Sequence, residues 1–204
     1  MALLTRSNPV GIDIPIAGFQ KFLYNQVKAK WGITDDFKYT CYDRAYRELI
    51  DTGYAPRYMV PNAQSVLEWV TCTIDDTTDW VVSFFSVPDQ IQEIENRTSV
   101  AKVSLIFQVN LGTADNPTIK PAITGHRADE EVRNDIEQIC FTPRFGFELA
   151  GFETGFENVF KDYKGLMTED RKNIADLHPR HVFKINFNLE YALEDCTNPV
   201  PNLF

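Results

Sequence analysis

The 204-residue chain is poor in the residues and patterns that announce chemistry most directly. Its four cysteines, Cys41, Cys72, Cys140 and Cys196, are far apart and form no CxxC pair, which excludes a zinc ribbon or a dense disulfide framework. Cys41, Cys72 and Cys140 sit among apolar or aromatic neighbours and read as small core residues with free thiols. Of only three histidines, His178 and His181 are close in sequence, with Asp176 nearby. Pro179 stands between them and prevents the helical two-histidine zinc arrangement, so the ligand set is too incomplete for a metal. Asp75, Asp76 and Asp79 lack the glycine and distal glutamate of a calcium loop and read as a turn. Phosphate-cradling glycine loops, dinucleotide fingerprints and a nucleophile-elbow serine are all missing. The expectation is a chain with no catalytic residue, no cofactor and no metal.

Nothing approaches the roughly 18 consecutive apolar residues of a membrane span, and the opening MALLTRSNPVGIDIP has no signal-peptide core. Synthesis in the cytoplasm, with no membrane partner, is therefore expected. Basic residues are in deficit as well, with 20 Lys and Arg against 29 Asp and Glu, a net charge of −9. That balance excludes a basic clamp on nucleic acid, whose affinity comes from clustered cations displacing counterions. It allows an acidic surface past which nucleic acid slides. Apolar residues are plentiful, including 15 Phe and 8 Tyr, which is more than a disordered chain carries.

Periodicity gives the elements. Ile16, Phe19, Leu23, Val27 and Trp31 fall at helical spacing, which predicts an amphipathic helix from Ile14 to Trp31, capped by Asp13 and stopped by Gly32. Ser65 to Ile74 and Trp80 to Val87 are strand-like and predict a hairpin across the Asp-rich turn. Pro88 to Arg97 suggests a short polar helix. From Ala101 to Leu111 apolar residues alternate with polar ones, and only Ile106 breaks the polar face. A second helix is expected from Arg127 to Cys140, with Val132, Ile136 and Ile139 inward. A strand through Phe145, Phe147 and Leu149 follows, then one or two turns from Phe156 to Tyr163. The last strand alternates Phe183, Ile185, Phe187, Leu189, Tyr191 and Leu193 with Lys184, Asn186, Asn188 and Glu190, which predicts one wet face.

This order makes an α+β protein, with a mostly antiparallel sheet and both helices packed on one face. Residues 1–204 form one domain, with extended arms at 1–13 and 194–204 and a β-rich excursion at 37–87. The polar loops 112–125 and 165–179 project from it. Two features point to protein contacts: arms dotted with apolar residues, and an Arg- and Tyr-rich stretch within the excursion. The candidate interface residues are Tyr42, Arg44, Tyr46, Arg47, Tyr54 and Arg57, with Leu203 and Phe204 in the second arm.

In layout the chain resembles the tail-terminator type of neck or tail-completion protein of tailed bacteriophages. The likeness is carried by the helix PIAGFQKFLYNQVKAKW, the strand AKVSLIFQVNL, the helix RADEEVRNDIEQI after a projecting loop, and the final strand FKINFNLEYAL. It implies a structural virion protein forming a homo-oligomeric ring, sixfold or twelvefold, that contacts connector, neck or tail-tube proteins and lets DNA pass as cargo. Such a family contributes no catalytic residues. Within the same class stand a stopper or baseplate component; from other classes, a binding module, or a metal-assisted hydrolase around Asp176, His178 and His181. The ring reading turns the −9 into an expectation that acidic residues gather on one surface facing the DNA.

Overall fold

Two thirteen-residue strands, β8 (Thr98–Asn110) and β10 (Arg180–Ala192), pair along their whole length in antiparallel register. Phe183 lies opposite Phe107, Ile185 opposite Leu105 and Phe187 opposite Val103, so the alternating apolar rows merge into one face. The Phe107 and Phe183 rings stack with centroids 5.1 Å apart. The computed structural model describes residues 3–61, 66–74, 79–87, 93–95, 98–112, 119, 129–167 and 179–192. None of the described helices is long and apolar enough to cross a membrane.

Around this pair the sheet runs β1-β2-β6-β8-β10-β9, comprising β1 (Leu3–Leu4), β2 (Tyr39–Arg44), β6 (Val81–Ser86) and β9 (Phe147–Thr154). A short β7 (Glu93–Glu95) adds to the start of β8. β1 and β2 run parallel to their neighbours β2 and β6, while the remaining pairs are antiparallel. β2 and β6 can be parallel because the chain leaves the sheet between them. It forms a separate three-stranded sheet from β3 (Tyr46–Ile50), β4 (Gly53–Pro61) and β5 (Leu67–Thr71), then returns. The protein is thus α+β and mostly antiparallel, as its periodicity predicts.

Helix α1 (Asp13–Trp31) covers one face, burying Ile16, Phe19, Leu23, Val27 and Trp31. It ends at Gly32, whose φ of 65° is the left-handed conformation open to glycine, with its N–H donating to the Lys28 carbonyl. Helix α2 (Asp129–Cys140) lies on the same face with Val132 and Ile136 buried, and the Trp31 indole N–H donates to Asp135 across the helices at 2.9 Å. On the opposite face Val82, Phe84, Ile106 and Val182 meet a second core, built from the small sheet, helix α3 (Phe156–Val159) and a 3₁₀ turn (Lys164–Leu166). Ile106 breaks the polar row of β8 because this second layer sits over it.

Several expectations change. Strands β5 and β6 do not form a hairpin: β5 pairs with β4, and β6 lies between β2 and β8. β6 is buried on both faces, with Val81 and Phe85 in the core under α1 and Val82 and Phe84 in the core under the small sheet, which suits a central strand and not one arm of a hairpin. Glu93–Glu95 is extended and not helical, because the edge of β8 supplies ladder partners. The wet face of β10 is wet only in its second half. Under α3, Lys184 is 3 % exposed, and its ammonium lies 3.0 Å from the Glu153 carboxylate. Asp13 does not cap α1, since no side-chain cap bond forms and its carboxylate is turned to two guanidiniums instead. Of the 37–87 excursion, only β3 to β5 leave the main sheet. The described part of the 1–13 arm is an edge strand followed by a short link and not a projection. Residues 194–204, and the loops after Gly112 and Met167 apart from Ile119 and Pro179, lie outside the described residues.

Beside the second core, the small sheet meets the main body in a close backbone contact. The β3–β4 turn places Gly53 against Gly165 of the 3₁₀ turn, and the Thr52 hydroxyl donates to the Gly165 carbonyl at 2.9 Å. A Cβ on Gly165 would come within 2.8 Å of the Tyr54 carbonyl oxygen and 2.9 Å of Gly53. Gly165→Ala should therefore lower stability by about 1–3 kcal/mol in urea unfolding. Gly151→Ala, where the added carbon meets nothing within 4 Å, should change it by less than about 0.5 kcal/mol. Equal effects would mean the docking is looser than described.

Candidate interaction surface

The small sheet begins where β2 runs out. Arg44 still pairs with Phe85, and the Ala45 N–H donates to the Phe85 carbonyl at 2.8 Å as the last bond to the main sheet. From there the chain turns into β3. The junction leaves an open cleft of about 270 Å³ lined by Arg44, Ala45, Tyr46, Arg47, Tyr54 and Val87. Four of the eight candidate interface residues meet here. The Arg47 guanidinium lies 4.1 Å from the Tyr54 ring centroid, and those of Arg6 and Arg44 lie 4.8 and 5.7 Å from that of Tyr46. Such stacking holds flat, donor-rich groups in fixed orientation at the mouth of the cleft.

Tyr46 links the cleft to the outer face of the small sheet. Its ring meets Trp69 edge-on at 5.6 Å, and Met59 stands opposite Trp69 in the ladder. Tyr46, Met59 and Trp69 are between 37 and 42 % exposed, and Leu67, beyond them on β5, is 61 % exposed. Arg57 braces this face by donating to the Trp69 carbonyl at 2.8 Å and the Thr71 hydroxyl at 2.9 Å. Tyr42, expected at this interface, is instead 9 % exposed and packs on Tyr58 in the second core, because it points to the face of β2 opposite Tyr39 and Cys41, the one covered by the small sheet. Leu203 and Phe204 lie outside the described residues. The row formed by Met59, Leu67 and Trp69 escapes sequence reasoning because a strand at 65–74 can be read as half of a hairpin with either face inward.

Beneath the cleft sits a charge cluster with no local signature. Asp13 and Asp43 are 5 and 2 % exposed. Arg6 bridges them: its backbone N–H donates to Asp43 at 3.0 Å, and its guanidinium pairs with Asp13 and donates to the Arg44 carbonyl at 3.0 Å. Arg44 also reaches Asp13, at 2.8 Å. Burial pushes the Asp43 carboxyl up to about 6, against the pull of Arg6. Burial works against the Arg6 cation too, but Asp43 and Asp13 more than offset it and hold Arg6 above its ordinary value. Buried pairs of this kind are weak sources of net stability, yet leaving one partner alone is costly.

The remaining candidates carry little reactivity. Cys41, Cys72 and Cys140 are buried free thiols, and burial pushes Cys41 up to about 11 and Cys140 up to about 12, far from thiolate chemistry at neutral pH. His181 is buried beside the Phe183 ring, while His178 and Asp176 lie outside the described residues. Among the described residues no group of three or more His, Cys, Asp or Glu side chains could hold a metal. Comparison with protein-family models, curated proteins and solved structures found no match.

The Asp43 shift fixes a sign. Its folded pKa is raised, so the ionised form is disfavoured in the native state above about pH 6, and that penalty is relieved as pH falls from there toward the ordinary carboxylate value of 3.8. Measured by urea unfolding, the native chain should gain up to ~3 kcal/mol relative to Asp43→Asn across that window. A constant difference between the two proteins would contradict a buried, uncomfortably ionised Asp43.

Proposed function

We propose that the chain is a structural subunit of a tailed-phage neck or tail, working by self-assembly into a ring that joins or completes the tail and lets DNA pass. The observation that carries this reading is the continuous exposed surface from the Arg44–Arg47–Tyr54 cleft over Tyr46 to Trp69, Met59 and Leu67. Arg, Tyr, Trp and Met are the residues enriched at the cores of protein interfaces, and here they sit on a rigidly docked platform. A chain that works through such a surface needs no reactive group. Layout supplies the phage part of the reading: an opening amphipathic helix on a sheet whose longest strands are 98–110 and 180–192, with a second helix on the same face.

The charge fits this role in a refined form. Asp13 and Asp43 are buried and matched by Arg6 and Arg44, so this part of the acid count never meets solvent. Any acidic lining of a channel must come from the exposed carboxylates elsewhere.

Native mass spectrometry and negative-stain imaging test the reading. Closed particles of six or twelve copies are expected, alone or on a connector, and Trp69→Ala or Arg47→Glu should reduce assembly by at least tenfold with the fold intact by circular dichroism. A monomer at high concentration that also ignores connector and tail-tube proteins would overturn it.

A further inference from the structure

We propose that the slot along the outer edge of β2 is a strand-acceptor site, filled in the assembly by residues 3–6 of a second copy. This rests on the self-assembly reading above and names its partner segment. The slot is unusually selective for so short a strand. Only two rungs form, Leu3 opposite Cys41 and Leu4 opposite Tyr42, yet the two leucines go to opposite faces of the sheet. Leu3 packs against the core under α1 and Leu4 against the core under the small sheet. The fully buried Gln20 amide donates to both the Leu4 and Cys41 carbonyls, at 2.9 and 2.8 Å, joining the strand to its neighbour and to α1. Two residues on, Arg6 enters the Asp13–Asp43 cluster.

Each of these contacts selects something. The backbone ladder and Gln20 accept an extended strand, the two cores accept a pair of adjacent large apolar side chains, and the buried carboxylates require a guanidinium at one position. With the slot empty, Asp43 would lose its guanidinium partner and Asp13 would keep only Arg44, a costly state. The slot therefore demands a Leu-Leu-x-Arg strand but does not specify which copy supplies it. The joining stretch is exposed at Ser7, Asn8 and Val10 and turns through Gly11 at φ 54° before the helix begins. The same contacts form in either connection, so exchange alters only the path of this link, which is the situation in which identical elements swap between copies. Donor strand and acceptor edge are also unlike patches on one chain, as a head-to-tail ring contact requires.

A single substitution reports on the connection. Leu3→Cys places a thiol opposite the native Cys41. Full-length Leu3→Cys, assembled and then oxidised with diamide at alkaline pH, should give a ladder of disulfide-linked dimers and higher species on a non-reducing denaturing gel. The ladder should collapse on reduction and be absent from the unsubstituted chain and from Leu3→Cys with Cys41→Ser. Should Leu3→Cys impair folding, Leu4→Cys with Tyr42→Cys tests the next rung. Assembled particles that contain only intrachain links, or none, overturn strand exchange while leaving self-assembly standing. Absence of particles from the unsubstituted chain, alone or on a connector, overturns the self-assembly reading and this inference together.

Discussion

The register between β8 and β10 is the constraint on which the other elements depend. Thirteen consecutive rungs align two apolar rows into one surface, and a slip of one residue would turn Phe183, Ile185, Phe187 and Leu189 away from α1 together. That collective penalty makes the pairing unambiguous. With it in place, β6 finds its partner on the far side of β8, β9 finds its own on β10, and α1 has a floor on which Phe19 meets the rings of Phe85, Phe147 and Phe187. The small sheet and α3 then occupy the other face where Phe84, Ile106 and Val182 offer apolar surface.

How much of this was legible depends on whether the information was local. Helix α1 and both long strands can be read from spacing alone, because one face of each is buried along most of its length. Gly32 marks the end of α1 for a local reason as well, its positive φ. Ile106 carried a signal of a different kind: an apolar residue out of phase marks a second layer. Its partners were unreadable because they come from residues 55–58, 72 and 156–166, whose meeting is a matter of topology. A hairpin of 65–74 with 80–87 suits the local sequence but not the topology, since each strand finds its partners elsewhere in the chain.

The candidate surface shows a similar division. Its Arg and Tyr richness was visible, but composition cannot separate Tyr42, which belongs to a core, from Tyr46, which borders the cleft. Nor can it show that Arg6 and Asp43 meet across 37 positions of sequence. Asp13 makes the point most directly. As the first residue of a helix it has the right chemistry to satisfy free backbone N–H groups, yet charge-assisted bonds to two guanidiniums are stronger and win its carboxylate. An electrostatic demand created by the tertiary structure overrides a local preference.

The contact between Gly53 and Gly165 has a consequence for variation. The β3–β4 turn is held to the body at that point by close main-chain packing and the Thr52 hydroxyl, and no side chain of the outward face of the small sheet takes part. Pose and content are thereby separated. Met59, Leu67 and Trp69 can be rewritten to suit a new neighbour while the scaffold continues to present them at the same place and angle. A subunit built this way can change the company it keeps by surface substitutions alone, with its interior left untouched.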